Sequence, residues 1–118
     1  MQGDTRRNFM KIEEKVNILG TDYNISVNTK PLERDADGLC IPYSKQLVIC
    51  PVAHIADEIE TTEGKEKAFK ETVRHEVIHA FFMESGLPEL SSNENVVNWL
   101  AIQFPKMQKT FEELGVEE

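Results

Sequence analysis

His75-Glu76-Val77-Ile78-His79 places two histidines four residues apart with a glutamate directly after the first. On an α-helix such a pair is about 400° apart in rotation, hence roughly 40° out of register and about 6 Å apart along the axis. Two imidazoles so placed can converge on one zinc ion at about 2.0–2.1 Å per nitrogen. Glu76 projects from the same stretch of helix, where its carboxylate can hydrogen-bond a water on the metal rather than ligate it. The combination supplies a Lewis acid, a water of lowered pKa and a general base. With three His and 16 Glu in 118 residues, shuffling yields this pentapeptide about once in 150 sequences. Two unrelated surface histidines would explain it less well.

Two histidines and a water leave tetrahedral zinc one protein ligand short. His54 is the remaining histidine, so a three-histidine site would have to use it. An acid downstream is the alternative. Glu94, Val97, Ala101 and Phe104 follow a three-four-three spacing, which puts Glu94 on the stripe expected to face the core. A carboxylate there is expensive unless paired or coordinated. Glu94 is therefore the leading third ligand, with Glu89, another group or none as the alternatives; favourable placement of an acid in a first helical turn is the plainer reading of Glu94 and is compatible with a ligand role. Asn98, one turn further on, could orient a ligating histidine or be a solvated residue.

These residues need elements to hold them. Glu14–Val27 alternates apolar and polar residues around Gly20-Thr21-Asp22, which predicts a β-hairpin. Thr29–Asp37 reads as a loop. Leu39-Cys40-Ile41 and Leu47-Val48-Ile49-Cys50 flank Pro42-Tyr43-Ser44-Lys45, a second hairpin between Gly38 and Pro51. Val52–Glu60 is either a short helix or a connection. The strongest helix runs from about Glu63 to Ser85, started by Thr61 or Thr62 and ended by Gly86. After the loop Leu87–Leu90, Ser91 or Ser92 caps a last helix through Leu114, in which Pro105 predicts a kink or break. The fold class is α+β, with a small β-sheet followed by two helices.

Composition narrows the function. Thirteen Lys and Arg against 21 Asp and Glu give a net charge of −8, the wrong sign for a nucleic-acid or anionic-membrane binder. The apolar runs fall far short of the ~20 residues of a membrane span, and the amino terminus has no signal-peptide core. Two cysteines argue for reduced thiols and a cytoplasmic protein. One domain over 1–118 is expected, with Met10 as natural start and Met1–Phe9 as a leader or added extension.

The pentapeptide followed by Glu94 at a helix start resembles the gluzincin branch of the zincin metallopeptidases. More narrowly, Arg74–Gly86 together with Asn93-Glu94-Asn95-Val96-Val97-Asn98-Trp99 resembles small phage- and prophage-type zincins, distant relatives of the ImmA/IrrE-type peptidases that cut cytosolic repressors. The resemblance covers roughly Gly38 to Pro105. It implies a small, mostly antiparallel sheet, then an active-site helix and a glutamate-bearing helix. It also implies His75, His79 and Glu94 as zinc ligands, Glu76 as general base, and a protein or peptide substrate. Asn98 departs from the family, many of whose members carry an acid there. The short spacing to Glu94 leaves little room for a substrate-enclosing subdomain.

Other residues carry lesser expectations. Gly38–Ile41 is the candidate edge strand for an extended peptide, or simply a half-buried strand. Tyr23, Tyr43, His54 and Arg74 are candidates to polarise a scissile carbonyl. Cys40, Cys50 and His54 could make a second metal site, although buried thiols explain the cysteines more simply. Trp99 reads as a packing anchor, and the acidic tail as a solvated face. The expected function is a zinc metallopeptidase; the alternative is a zinc-bound interaction or regulatory module with little turnover.

Overall fold

A computed structural model describes residues 13–55 and 58–118 of the chain. Expectations for Met1–Phe9 and for Met10 as start lie outside the described residues. Strands β1 (Glu13–Ile18) and β2 (Thr21–Val27) pair antiparallel, as the alternation predicts. The turn falls one residue earlier than expected, on Leu19 and Gly20, both at positive φ (51° and 94°). Asn17 holds it: its carboxamide oxygen accepts the Gly20 N–H at 2.9 Å, and its NH2 donates to Asp22 at 3.0 Å.

Strands β3 (Gly38–Ile41) and β4 (Gln46–Ile49) form the second hairpin. The two hairpins interleave into one mixed sheet of order β1-β2-β4-β3, with β2 and β4 parallel. The reason lies in β4, where Leu47, Val48 and Ile49 are all buried. A strand apolar on both faces belongs in the middle of a sheet, not at its rim. Two of three pairings are antiparallel, and β3 is left as an edge.

Helix α1 (Thr62–Glu84) crosses the face carrying Tyr23, Ile25, Leu47 and Ile49 and adds Phe69 and Ala80 to that core. The Thr61 hydroxyl caps it by accepting the Gly64 N–H at 3.0 Å. Gly86, at φ 74°, ends it: the Leu87 N–H donates to Phe82 O and the Gly86 N–H to Met83 O, which satisfies the last carbonyls. Besides the sheet, α1 meets the one-turn helix α2 (Pro88–Ser91) and helix α3 (Glu94–Leu114). Its apolar residues therefore wrap much of its circumference. Asn93, rather than Ser91 or Ser92, caps α3, accepting the Val96 N–H at 3.2 Å. Within Val52–Glu60, Val52–His54 forms a 3-10 turn.

Pro105 does not break α3, which runs unbroken through it. Proline has no N–H for the carbonyl four residues back, here that of Ala101. The Arg74 Nε donates to that carbonyl at 2.6 Å. The bond ties α1 to α3 beside His75, and it removes Arg74 from the candidate electrophiles. Trp99 is not a core anchor; it is 55% exposed. Among the described residues no helix is long and apolar enough to cross a membrane.

The carboxyl end of α1 is fixed to the sheet by Glu84, which accepts from the buried Tyr23 hydroxyl at 2.7 Å and from Lys45 Nζ at 2.9 Å. These donors, Tyr23 first, hold its carboxyl down to about 2, against an ordinary 4.5. A depressed acid contributes stability that is complete above its ordinary value and fades as pH falls toward its folded one. Glu84→Gln is therefore expected to lower the melting temperature most at neutral pH, with the gap from wild type shrinking between pH 4.5 and 2. Melts across that range check it; a gap independent of pH would mean that Glu84 acts by shape alone.

Candidate metal centre

His75 and His79 lie one turn apart on α1, and Glu94 is the first residue of α3. The loop and α2 return the chain so that all three side chains meet. His75 Nε2 stands 3.1 Å from Glu94 Oε1, His79 Nε2 stands 3.4 Å from Glu94 Oε2, and the two Nε2 atoms are 3.2 Å apart. Glu94 is not on a buried stripe as expected; its side chain is 60% exposed. Its place is set by the imidazoles instead of by the core. Glu89, on α2, is exposed and does not line the same groove.

Ser91 is the residue that sequence reasoning took for a cap and the structure places elsewhere. It is buried, with its hydroxyl 3.1 Å from His79 Nδ1 and 3.4 Å from the His79 carbonyl. A hydroxyl that donates to the carbonyl accepts from Nδ1–H, which leaves Nε2 of His79 with its lone pair toward Glu94. Burial pulls the His79 imidazole below its usual range, outweighing the Glu94 carboxylate that favours the charged ring. Neutral imidazole is the ligating form. Asn98 lines the groove, exposed, and makes no bond to either histidine.

The donor set fits a cation. His79 Nε2 and both Glu94 oxygens are acceptors directed at one small space, an arrangement that costs energy unless a positive charge lies between them. Two nitrogens on one tetrahedral zinc would stand about 3.3 Å apart, close to the 3.2 Å separation found. Among the described residues these three form the only group of three or more potential metal donors. The second metal site is not formed. The Cys50 thiol donates to Ala36 O, His54 is exposed, and burial, then Glu76, pushes the Cys40 thiol up to about 12.

Glu76 sits next to His75 and faces β3. It is 6% exposed, and burial first, then the Glu94 charge, raises its carboxyl to about 7. Gly38 makes this approach possible: a Cβ there would lie 2.8 Å from Glu76 Cγ and 3.0 Å from both Glu76 Oε2 and Thr72 Cγ2. The resulting groove, of about 580 Å³, runs between β3 and α1 and holds His75, Glu76, His79, Ser91 and Glu94 along its wall. Asp37 and Glu71 add two more carboxylates, and among the described residues no lysine or arginine lines it. Of the candidate electrophiles, Tyr23 is buried against Glu84, Tyr43 is fully exposed in the β3–β4 turn, and His54 lies outside the groove.

Removing the Ser91 hydroxyl tests its role directly. Ser91→Ala is expected to weaken zinc affinity about 10- to 100-fold, the usual cost of losing a partner to a ligating histidine. Competition against a chromogenic chelator measures it. Unchanged affinity would make Ser91 a merely buried hydroxyl.

Comparison of the chain with models of protein families, with curated proteins and with solved structures gave no match.

Proposed function

We propose that the chain is a zinc-dependent metallopeptidase of gluzincin type that hydrolyses a peptide bond in a protein partner. The observation that carries this reading is the convergence of His75, His79 and Glu94 beside the buried Glu76 in one groove. Zinc held by the three donors would supply a Lewis acid and a water of lowered pKa. Glu76 takes a proton from the attacking water as the C–O bond forms, then returns it to the amine nitrogen as the C–N bond breaks. Burial, the larger cause of the raised Glu76 carboxyl, favours its protonated form, as a group that must hold a proton between the two transfers requires. Ser91 keeps His79 oriented, and the bond from Arg74 to Ala101 holds Glu94's helix against α1.

β3 is an edge strand along the groove. An extended substrate segment can add to such an edge through backbone hydrogen bonds. The carboxylates of the lining favour basic residues near the scissile bond. So small a fold has little wall around the groove, which suits one docked protein partner in the cytoplasm rather than general digestion.

The test is metal content after purification without added metal or a histidine tag, followed by mass spectrometry of a peptide library incubated with the zinc-loaded protein. About one zinc per chain and cleavage abolished by a chelator support the reading. Zinc binding without cleavage of any peptide or partner supports the second reading, a zinc-bound interaction module. One observation favours it: none of the four candidate electrophiles lines the groove.

A further inference from the structure

The groove has two unlike ends, set by the direction of the elements that wall it. Gly38 at the start of β3 meets Thr72 and Glu76 of α1, whereas Lys45, beyond the β3–β4 turn, bonds to Glu84 at the end of α1. Strand and helix therefore run the same way along it. Asp37 and Glu71 stand at the first end, Pro42 and Met83 at the other. Asp37 to Pro42 is about 17 Å of extended chain, and Glu71 to Met83 is about 18 Å of helix. Each wall thus matches about five residues of extended peptide. His75, Glu76 and His79 lie between the ends.

The register of β3 fixes which backbone groups face outward. The Cys50 N–H donates to the Asp37 carbonyl at 2.9 Å, and bonded positions alternate along an antiparallel pair. Asp37, Leu39 and Ile41 therefore turn their backbone groups toward β4, and Gly38 and Cys40 turn theirs away from it. An added strand pairs with them most stably antiparallel, which sends its carboxyl-terminal residues toward Asp37. Glu76 requires the same direction. Its Oε2 is turned toward Gly38 and Thr72, and Thr72 precedes both histidines on α1. The proton that it returns goes to the nitrogen of the broken C–N bond. The residues after that bond consequently lead toward Asp37 and Glu71.

Resting on the peptidase reading above, we propose an order for the substrate. An extended segment lies antiparallel to β3, with an apolar residue just before the bond cut and a lysine or arginine about two residues after it. The apolar side chain packs on Pro42 and Met83. The cation reaches Glu71, one turn before His75 on α1, and Asp37. A segment with the two side chains exchanged puts its cation against Met83 and its apolar residue between carboxylates.

Two end-blocked fluorescent peptides of one composition test it, one with leucine two places before lysine and one with that order reversed. Binding is read by anisotropy with the zinc-loaded Glu76→Gln chain, which holds the peptides uncut, and cleavage by mass spectrometry with wild type. The leucine-first peptide is expected to bind about fivefold tighter, with the gap closing in high salt, and to be cut directly after leucine. Adding Glu71→Lys, with zinc content unchanged, moves the preference from lysine to glutamate at that place. Equal binding, no binding of either peptide, tighter binding of the reversed order, or a lysine preference untouched by Glu71→Lys each overturns the proposal. Ordered binding with no cleavage by wild type upholds the docking order and sinks the peptidase reading. Cleavage indifferent to order does the converse.

Discussion

Glu76→Gln is expected to cut peptide-bond hydrolysis by about a hundred- to ten-thousandfold, the share that a positioned general base contributes. Glutamine has the same shape and fills the same space against Gly38 and Thr72, but it cannot accept a proton. His75, His79 and Glu94 are untouched, so metal content should match wild type. Stability should equal or exceed it, because a carboxyl 6% exposed is replaced by a neutral group. The informative measurement is the pair of readouts on one preparation. Lost cleavage with retained zinc assigns the proton transfers to Glu76. Cleavage at the normal rate by a zinc-replete variant would remove Glu76 from the mechanism.

The second large effect is on the metal itself. His79→Ala leaves one imidazole and a carboxylate that is 60% exposed, a donor pair too weak to retain zinc through purification. Structural zinc sites with four donors bind with apparent free energies of about 10–16 kcal/mol, on the order of 3 kcal/mol per donor. Losing one is more than a hundredfold in affinity. Zinc per chain should fall from about one to near zero, and His75→Ala should behave alike, since both Nε2 atoms meet at 3.2 Å. Glu94→Ala should lower affinity less completely, its carboxylate being the exposed member. Elemental analysis of the three variants beside wild type decides the assignment. Unchanged stoichiometry in His79→Ala would show that the imidazoles do not hold the metal.

Much of this arrangement is legible in the sequence because it is local. Thr61, the three-and-four spacing and Gly86 mark α1 at both ends, and the pentapeptide fixes which face of it carries the donors. Spacing singles out Glu94, which does meet both histidines, but not for the reason expected: it stands at the open end of α3 rather than in the core. The site residue that was missed, Ser91, resembles any helix-capping serine. Its bond to His79 depends on the single turn of α2, which no periodicity announces. The interleaved strand order needed a different kind of reading. The run Leu47-Val48-Ile49, apolar on both faces, was a signal for a central strand, but which neighbours flank it is a non-local choice. Gly38 likewise looks like an ordinary strand start until Glu76 is brought against it.

The bond from Arg74 to the Ala101 carbonyl has a consequence for how this chain can change over generations. The carbonyl is open to a guanidinium because Pro105 supplies no amide proton, so the two positions are not free to drift separately. A lineage that exchanges Pro105 for alanine, a substitution that helix preference alone would reward, gains a rival donor inside α3. Arg74 then shares its acceptor at the seam between the two helices. The reverse exchange, losing Arg74 first, strands the carbonyl. Loss of Arg74 is harmful while Pro105 remains and tolerable once it has been replaced. Substitutions at 74 and 105 should therefore appear together among descendants of this sequence, although thirty-one positions separate them along the chain.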